Sequence, residues 1–408
     1  MIKRILYTLL IMFPVLASAQ INTDRVMAIG RNALYFEDYV LSIQYFNQVI
    51  NAKPYLSDPY FYRGLAKINL DDFQGAESDC SEAIERNPFV VSAYQVRGLA
   101  RIQQNNFAGA IEDYTKALEF DPENIGVWHN MALCRIRQED YKGAKNDLDK
   151  LIAISPRYTK AYLMRGEVDL KQKDTLAAEK DFGKAIEIDR YDADTWASRA
   201  ILRLQQQRYK DAEADFDHAI RLSTRNSGVY INRALARYHQ NNLRGAMSDY
   251  DIALDIDPNN FIGHYNRGLL RAQVGDDNRA IQDFNFVIEM EPDNMMAIFN
   301  RGLLLDQTGD YKGAIKDYST VINEYPNFLL GYQYRAQARR KIGDVKGADA
   351  DEFKVLKAQL DKQNGVDPNK QTADNTENNK TRKKSDKNMN NYRKIVVADN
   401  EEGEEKYK

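Results

Sequence analysis

A bulky residue, a small one four positions later, a second small one twelve further and another bulky one four beyond that form a pattern repeated along most of this chain. The first small position is Gly30, Gly64, Gly98, Ala132, Gly166, Ala200, Ala234, Gly268, Gly302 and Ala336. The second is Ser42, Ala76, Ala110, Ala144, Ala178, Ala212, Ala246, Ala280, Ala314 and Ala348. Tyr60, Tyr94, Trp128, Tyr162, Trp196, Tyr230 and Tyr332 lead the first position, where His264, Ile298 and Val26 depart from the aromatic rule. Phe46, Tyr114, Phe182, Phe216, Tyr250, Phe284 and Tyr318 follow the second. A spacing of four keeps each bulky and small pair on one face of a helix. Polar turns such as Gln104-Asn105-Asn106 and Gly309-Asp310 separate the two halves, so each unit is predicted to be a helical hairpin.

Pro54, Pro88, Pro122 and Pro156 keep time at 34 residues, and Pro258, Pro292 and Pro326 resume in phase after substitutions at Arg190 and Thr224. A phase that survives two missing members reflects structure, and about ten units fit between residues 23 and 362. Small residues at matching places on successive helices let the two backbones approach closely.

The arrangement W-x2-L-G-x2-Y, A-x3-F and P at a 34-residue period resembles the tetratricopeptide repeat family, with Trp128, Gly98, Ala110, Tyr114 and Pro122 showing its parts. The resemblance implies an all-α fold, an α-solenoid wound as a right-handed superhelix of about ten helix-turn-helix units, with first helices lining a concave inner wall. No single hairpin can bury its apolar face alone, so stability is shared between neighbours.

One departure from the family pattern is regular. Arg stands before the small residue in eight units, at Arg63, Arg97, Arg165, Arg199, Arg233, Arg267, Arg301 and Arg335. Sixteen residues on, those units carry Asp79, Asp113, Asp181, Asp215, Asp249, Asp283, Asp317 and Asp351. The first unit has neither charge, with Ile29 and Tyr45, and the fourth has Met131 with Asp147. A guanidinium fork meeting a carboxylate between the two helices of each hairpin is expected. Eight copies of one pair indicate a structural role, because an active site needs one asymmetric constellation.

The resemblance assigns partner binding to first-helix residues on the inner wall: Phe61, Leu65, Leu99, Ile102, Leu133, Ile136, Leu163, Ile201, Ile231, Leu235, Tyr238, Tyr265, Leu269, Phe299 and Leu303. The stripe is largely apolar and lacks a repeated Lys and Asn set, so a clamp for a terminal carboxylate is not expected. Two readings stay open: packing between adjacent first helices, or an apolar groove that another protein segment or a second copy covers.

Both ends of the chain differ from the repeats. Lys3 and Arg4, an apolar run over residues 5–16 and Ala17-Ser18-Ala19 have the layout of a secretory signal peptide, residues 1–19, so the protein is expected to be exported, periplasmic or secreted. The run is too short to span a bilayer, which leaves no integral membrane segment after cleavage. Residues 20–362 form the expected solenoid. Residues 363–408 are rich in Asn and Lys and read as a disordered tail. Within it, Ile395-Val396-Val397 is a short β-prone run that reads as unstructured, with addition to a partner's sheet edge as the lesser reading.

The net charge is −3, and removal of Lys3 and Arg4 makes it −5, which gives nucleic acid no electrostatic attraction. Cys80 and Cys134 lie in different repeats and read as unpaired buried residues. His129, His218, His239 and His264 occupy four repeats with no ligand spacing, and no nucleophile elbow or phosphate loop occurs. The sequence therefore predicts no catalytic residue, no metal site and no cofactor. It predicts a non-enzymatic scaffold of the cell envelope or secreted space that binds extended or helical segments of other proteins or peptides, with self-association as a further outcome. The alternative is a periplasmic binding module for an envelope polymer such as glycan or peptidoglycan.

Overall fold

The computed structural model describes residues 22–222, 225–364, 389, 392–396 and 398, and the signal peptide expected over residues 1–19 lies outside them. Among the described residues there are twenty α-helices and no strand, and the fold is an all-α solenoid. The chain divides into two compact units, residues 1–189 and 190–408.

In the first unit, five hairpins follow in order: α1 (Thr23–Tyr35) with α2 (Tyr39–Ala52), α3 (Asp58–Ile68) with α4 (Phe73–Arg86), α5 (Val91–Gln103) with α6 (Phe107–Phe120), α7 (Ile125–Arg137) with α8 (Tyr141–Ile154), and α9 (Thr159–Lys171) with α10 (Thr175–Ile188). Five more make the second: α11 (Ala193–Gln205) with α12 (Tyr209–Arg221), α13 (Ser227–His239) with α14 (Leu243–Ile256), α15 (Phe261–Gln273) with α16 (Asp277–Met290), α17 (Met295–Thr308) with α18 (Tyr311–Glu324), and α19 (Leu329–Lys341) with α20 (Val345–Gln363).

The hairpin turn is set by local chemistry. Asp38, Asp72, Asn106, Asp140, Asp174, Asn242, Asp310 and Asp344 each accept a hydrogen bond from a backbone N–H in the first turn of the second helix, satisfying one donor that the helix start leaves free. One residue before the cap position, the chain turns through the left-handed region in every hairpin. Glu37, Asp71, Asn105, Glu139, Lys173, Gln207 and Asn241 do so without being glycine, and Gly275, Gly309 and Gly343 continue the series. A residue with a side chain pays about 1–2 kcal/mol in that conformation, so seven of the ten turns carry this strain and three relieve it with glycine.

The small residues face the aromatic ones directly. A Cβ added to Gly98 would stand 2.7 Å from the Tyr114 ring, and one added to Gly166 would stand 2.6 Å from the Phe182 ring. The rings of Tyr114, Phe182, Phe216, Tyr250, Phe284 and Tyr318 are consequently almost completely buried between the two helices. The leading aromatic has a second task. Trp128 Nε1 donates to the Pro122 carbonyl at 2.8 Å, Tyr162 donates to that of Pro156 at 3.1 Å and Trp196 to that of Arg190 at 3.0 Å, tying each first helix to the turn before it. His264 keeps this contact, with Nε2 at 3.1 Å from the Pro258 carbonyl.

All eight Arg and Asp pairs form as two-pronged bridges. Arg165 donates to Asp181 at 2.7 Å from both Nε and Nη2, and Arg199 donates to Asp215 at 2.8 Å from both. The aspartates are at most 5 % exposed. Two features of this ladder were not anticipated. The remaining guanidinium nitrogen reaches back sixteen residues to the preceding hairpin, as in Arg63 to Asn47, Arg97 to Ser81, Arg233 to Asp217 and Arg301 to Asn285. A second cation one turn on also contacts the same carboxylate: Lys67, Arg101, Arg203, Arg237, Arg271 and Arg339. Each rung therefore ties a hairpin internally, and in several cases to its predecessor.

The fourth hairpin lacks the first cation, and there Arg135 Nε lies 2.8 Å from the Asp147 carboxylate without alignment to donate. Cys80 and Cys134 are free and buried, and burial pushes both thiols up to about 12.

Candidate functional site

In the second unit, first-helix residues contact part of the C-terminal segment. Described residues of the segment read as a disordered tail lie against these helices, so that reading does not extend to Met389, residues 392–396 and Ala398. Met389, Ile395 and Ala398 are 2, 8 and 3 % exposed. The masked remainder of residues 363–408 lies outside the described structure.

Three asparagines hold this segment. Asn266 Nδ2 donates to the Val396 carbonyl at 2.7 Å while its Oδ1 accepts from the Val396 N–H at 2.9 Å. Asn232 repeats the arrangement on Ala398, at 2.9 Å for both bonds. Asn300 donates to the Tyr392 carbonyl at 2.6 Å, which also accepts from the Tyr265 hydroxyl at 2.7 Å.

A carboxamide offers one donor and one acceptor side by side, so it can pair with the N–H and C=O of a single residue as a neighbouring strand would. Asn232 and Asn266 are fully buried and Asn300 is 5 % exposed, and the two bonds between Asn232 and Ala398 are buried. The segment runs from the ninth repeat back to the seventh, against the repeat order.

The side chains of the segment enter apolar positions. Tyr392 meets Phe299 edge-on at 4.8 Å between ring centroids. Ile395 joins the cluster of Leu204, Val229 and Leu235, against which Ile201, Tyr238 and Leu269 also pack. Ala398 packs with Ile231, Ala234 and Leu270. Burial pushes the Tyr265 hydroxyl well above the usual tyrosine range, keeping it a donor at any physiological pH.

The fifteen residues singled out on the inner wall thus fall in two groups. Ile201, Ile231, Leu235, Tyr238, Tyr265, Leu269, Phe299 and Leu303 surround the segment or join the clusters it completes. In the first unit, Phe61, Ile102, Leu133 and Ile136 pack into the clusters between neighbouring helices, and Leu65 and Leu163 are half-buried. Leu99 is 39 % exposed and lines a cavity of about 260 Å³ with Tyr114 and Asn130.

Asn232, Asn266 and Asn300 were missed by the sequence reading. Their signal was available: Asn stands two residues before the small position in repeats four, seven, eight and nine, at Asn130, Asn232, Asn266 and Asn300. A polar residue recurring in phase among apolar wall residues is the mark of a contact to something other than the core.

Stacked helical hairpins define an α-helical repeat protein. Family models described as TPR repeat and tetratricopeptide repeat match residues 98–134, 125–158, 159–192, 198–261 and 265–327, which together exceed half of the sequence. The chain belongs to the tetratricopeptide repeat family, and its coarse role is that of a protein-interaction scaffold. No curated protein matches the sequence.

Among solved structures, similarity extends to a tetratricopeptide repeat protein from Parabacteroides merdae ATCC 43184, at 21 % identity and a TM-score of 0.47 over 61 % of this chain and 98 % of that one. The MamA protein is similar at 19 % identity and a TM-score of 0.38, covering 41 % of this chain and 92 % of that one. YrrB, described as a TPR protein with an unusual peptide-binding site, gives 20 % identity and a TM-score of 0.38 over 45 % and 95 %.

Proposed function

We propose that this protein is an exported, non-enzymatic scaffold of the cell envelope or secreted space, and that the inner wall of its second unit grips an extended segment of a partner protein. The observation that carries the reading is the pair of buried carboxamides, Asn232 and Asn266, each bonded to both main-chain groups of one residue in the C-terminal segment. Such contacts accept any sequence able to lie extended, and the apolar positions around them select side chains.

Export rests on the N-terminal layout of Lys3, Arg4, the apolar run and Ala17-Ser18-Ala19. No helix among the described residues is long and apolar enough to cross a membrane. The scaffold reading is favoured over glycan binding because the groove's polar groups match peptide N–H and C=O in number and spacing.

The test is in-cell crosslinking of the full chain followed by mass spectrometry, comparing the native protein with the Asn232→Ala, Asn266→Ala and Asn300→Ala triple variant. Partner proteins captured by the native chain and lost from the variant support the proposal. Capture that is unchanged by the triple substitution, or enrichment of glycan without protein, refutes it. Fractionation of the same cells places the chain inside or outside the cytoplasmic membrane.

A further inference from the structure

The wall that reads main chain is already reading this chain's own. We propose that residues 392–396 and Ala398 are a tethered occupant of the groove, and that the partner displacing them is a peptide with an aromatic residue, an aliphatic residue three on and a small residue three further. This rests on the reading of the groove as a peptide site.

The pattern follows from the contacts. The aromatic position is defined by Tyr392, whose ring lies edge-on to Phe299 while its carbonyl takes hydrogen bonds from Tyr265 and Asn300. The aliphatic position is that of Ile395, 8 % exposed between Leu204 and Leu235. The small position is that of Ala398, 3 % exposed against Ile231, Ala234 and Leu270, where a larger side chain meets packed neighbours. Val396, between them, is 41 % exposed and imposes no side-chain demand.

Occupancy is exclusive. Both polar atoms of Asn232 and of Asn266 are bonded to the segment, so a second peptide can be held in the same way only after it leaves. A segment carried on the same chain competes at an effective concentration on the order of mM, a threshold that selects partners of matching pattern over arbitrary extended chains. The same device protects an exported apolar wall from unspecific contacts until such a partner arrives.

The experiment uses the full chain and a fluorescent synthetic peptide spanning residues 389–400, followed by anisotropy. Three proteins are compared: native, Ile395→Asp, and Ile395→Asp combined with Asn232→Ala and Asn266→Ala. Ile395→Asp places a charge in an apolar position and should release the tail, so this variant should bind the peptide roughly tenfold or more tightly than the native chain. The added Asn substitutions should abolish that gain. Val396→Pro is a second way to open the groove, because it removes the N–H donated to Asn266 and alters no helix.

Equal binding by native and Ile395→Asp chains, lost on the Asn substitutions, overturns the tether and leaves the groove reading standing. Binding by Ile395→Asp that survives the Asn substitutions, or binding by no variant, overturns both. A native dimer that grows with concentration and is dissolved by Ile395→Asp shows the tail crossing between copies and overturns occupancy within one chain.

Discussion

Replacing Arg233 by Ala and Asp249 by Ala, singly and together, tests whether the repeated bridges hold the hairpins. Asp249 is 1 % exposed and accepts four hydrogen bonds, from Arg233 Nε at 3.0 Å and Nη2 at 2.6 Å and from Arg237 Nη1 at 2.9 Å to both oxygens. Asp249→Ala leaves two largely buried guanidiniums with reduced company, since Arg233 retains Asp217 at 2.7 Å and Arg237 retains Glu213 at 2.8 Å. Removing one partner of a buried pair costs about 3–5 kcal/mol, and the retained partners bring the expected loss to the lower end of that range. Arg233→Ala leaves Asp249 with Arg237 alone, and a loss of about 2–3 kcal/mol is expected from two charge-assisted bonds partly compensated by the survivors.

The double variant should lose less than the sum, with a coupling of about 1–3 kcal/mol. Because repeats unfold in neighbouring groups, urea titration by circular dichroism should be paired with hydrogen exchange of the amides in α13 and α14. Exchange should rise there first. Losses that add to within about 0.5 kcal/mol would refute the bridge as a structural link.

The fourth hairpin gives a pH prediction. Burial outweighs Arg135 and pushes Asp147 up to about 6, so the fold favours the protonated acid; this group's contribution is complete below the unfolded value of about 3.9 and is lost as pH rises through about 6. Asp147→Asn should therefore raise stability at pH 7.5 by roughly 1–2 kcal/mol and do little at pH 4, and destabilisation at both would contradict the assignment. Asp283 behaves the other way: burial would raise it, but hydrogen bonds from His264 and Arg267 together with nearby charge hold it below its ordinary value. Its contribution is present above the unfolded value and fades as pH falls through the lowered one, so Asp283→Asn should cost stability at pH 7 and less near pH 3, as read from denaturation midpoints. At the hairpin turns, Lys173 has a φ of 65° and Gly309 a φ of 92°. Lys173→Gly should gain up to about 1 kcal/mol and Gly309→Ala should lose about 1–2 kcal/mol, both measurable as shifts in thermal midpoint; equal small effects would mean that the turn carries no strain.

The hairpins, their number and the eight bridges were readable in the residues because each depends on contacts at a fixed sequence separation. A small residue and an aromatic sixteen positions apart, or Arg and Asp at the same interval, meet whenever two consecutive helices pair, and a period of 34 makes each meeting recur. The second cations escaped notice because they share one aspartate with the first, a three-body arrangement that pairwise spacing does not reveal.

What lay beyond the sequence was any contact without a fixed interval. Asn266 and Val396 are separated by 130 residues, and Asn232 and Ala398 by 166, so neither periodicity nor composition joins them. Taken alone, the residues around Ile395 were too few and too polar in their surroundings to order themselves. The stacked helices alter that balance by presenting buried amides and apolar positions already fixed in place, so the entropy lost is that of a few tail residues alone. Sequence determined the repeating frame, whose contacts are local and periodic; tertiary structure decided what the frame holds, because that contact exists only once the wall has been assembled.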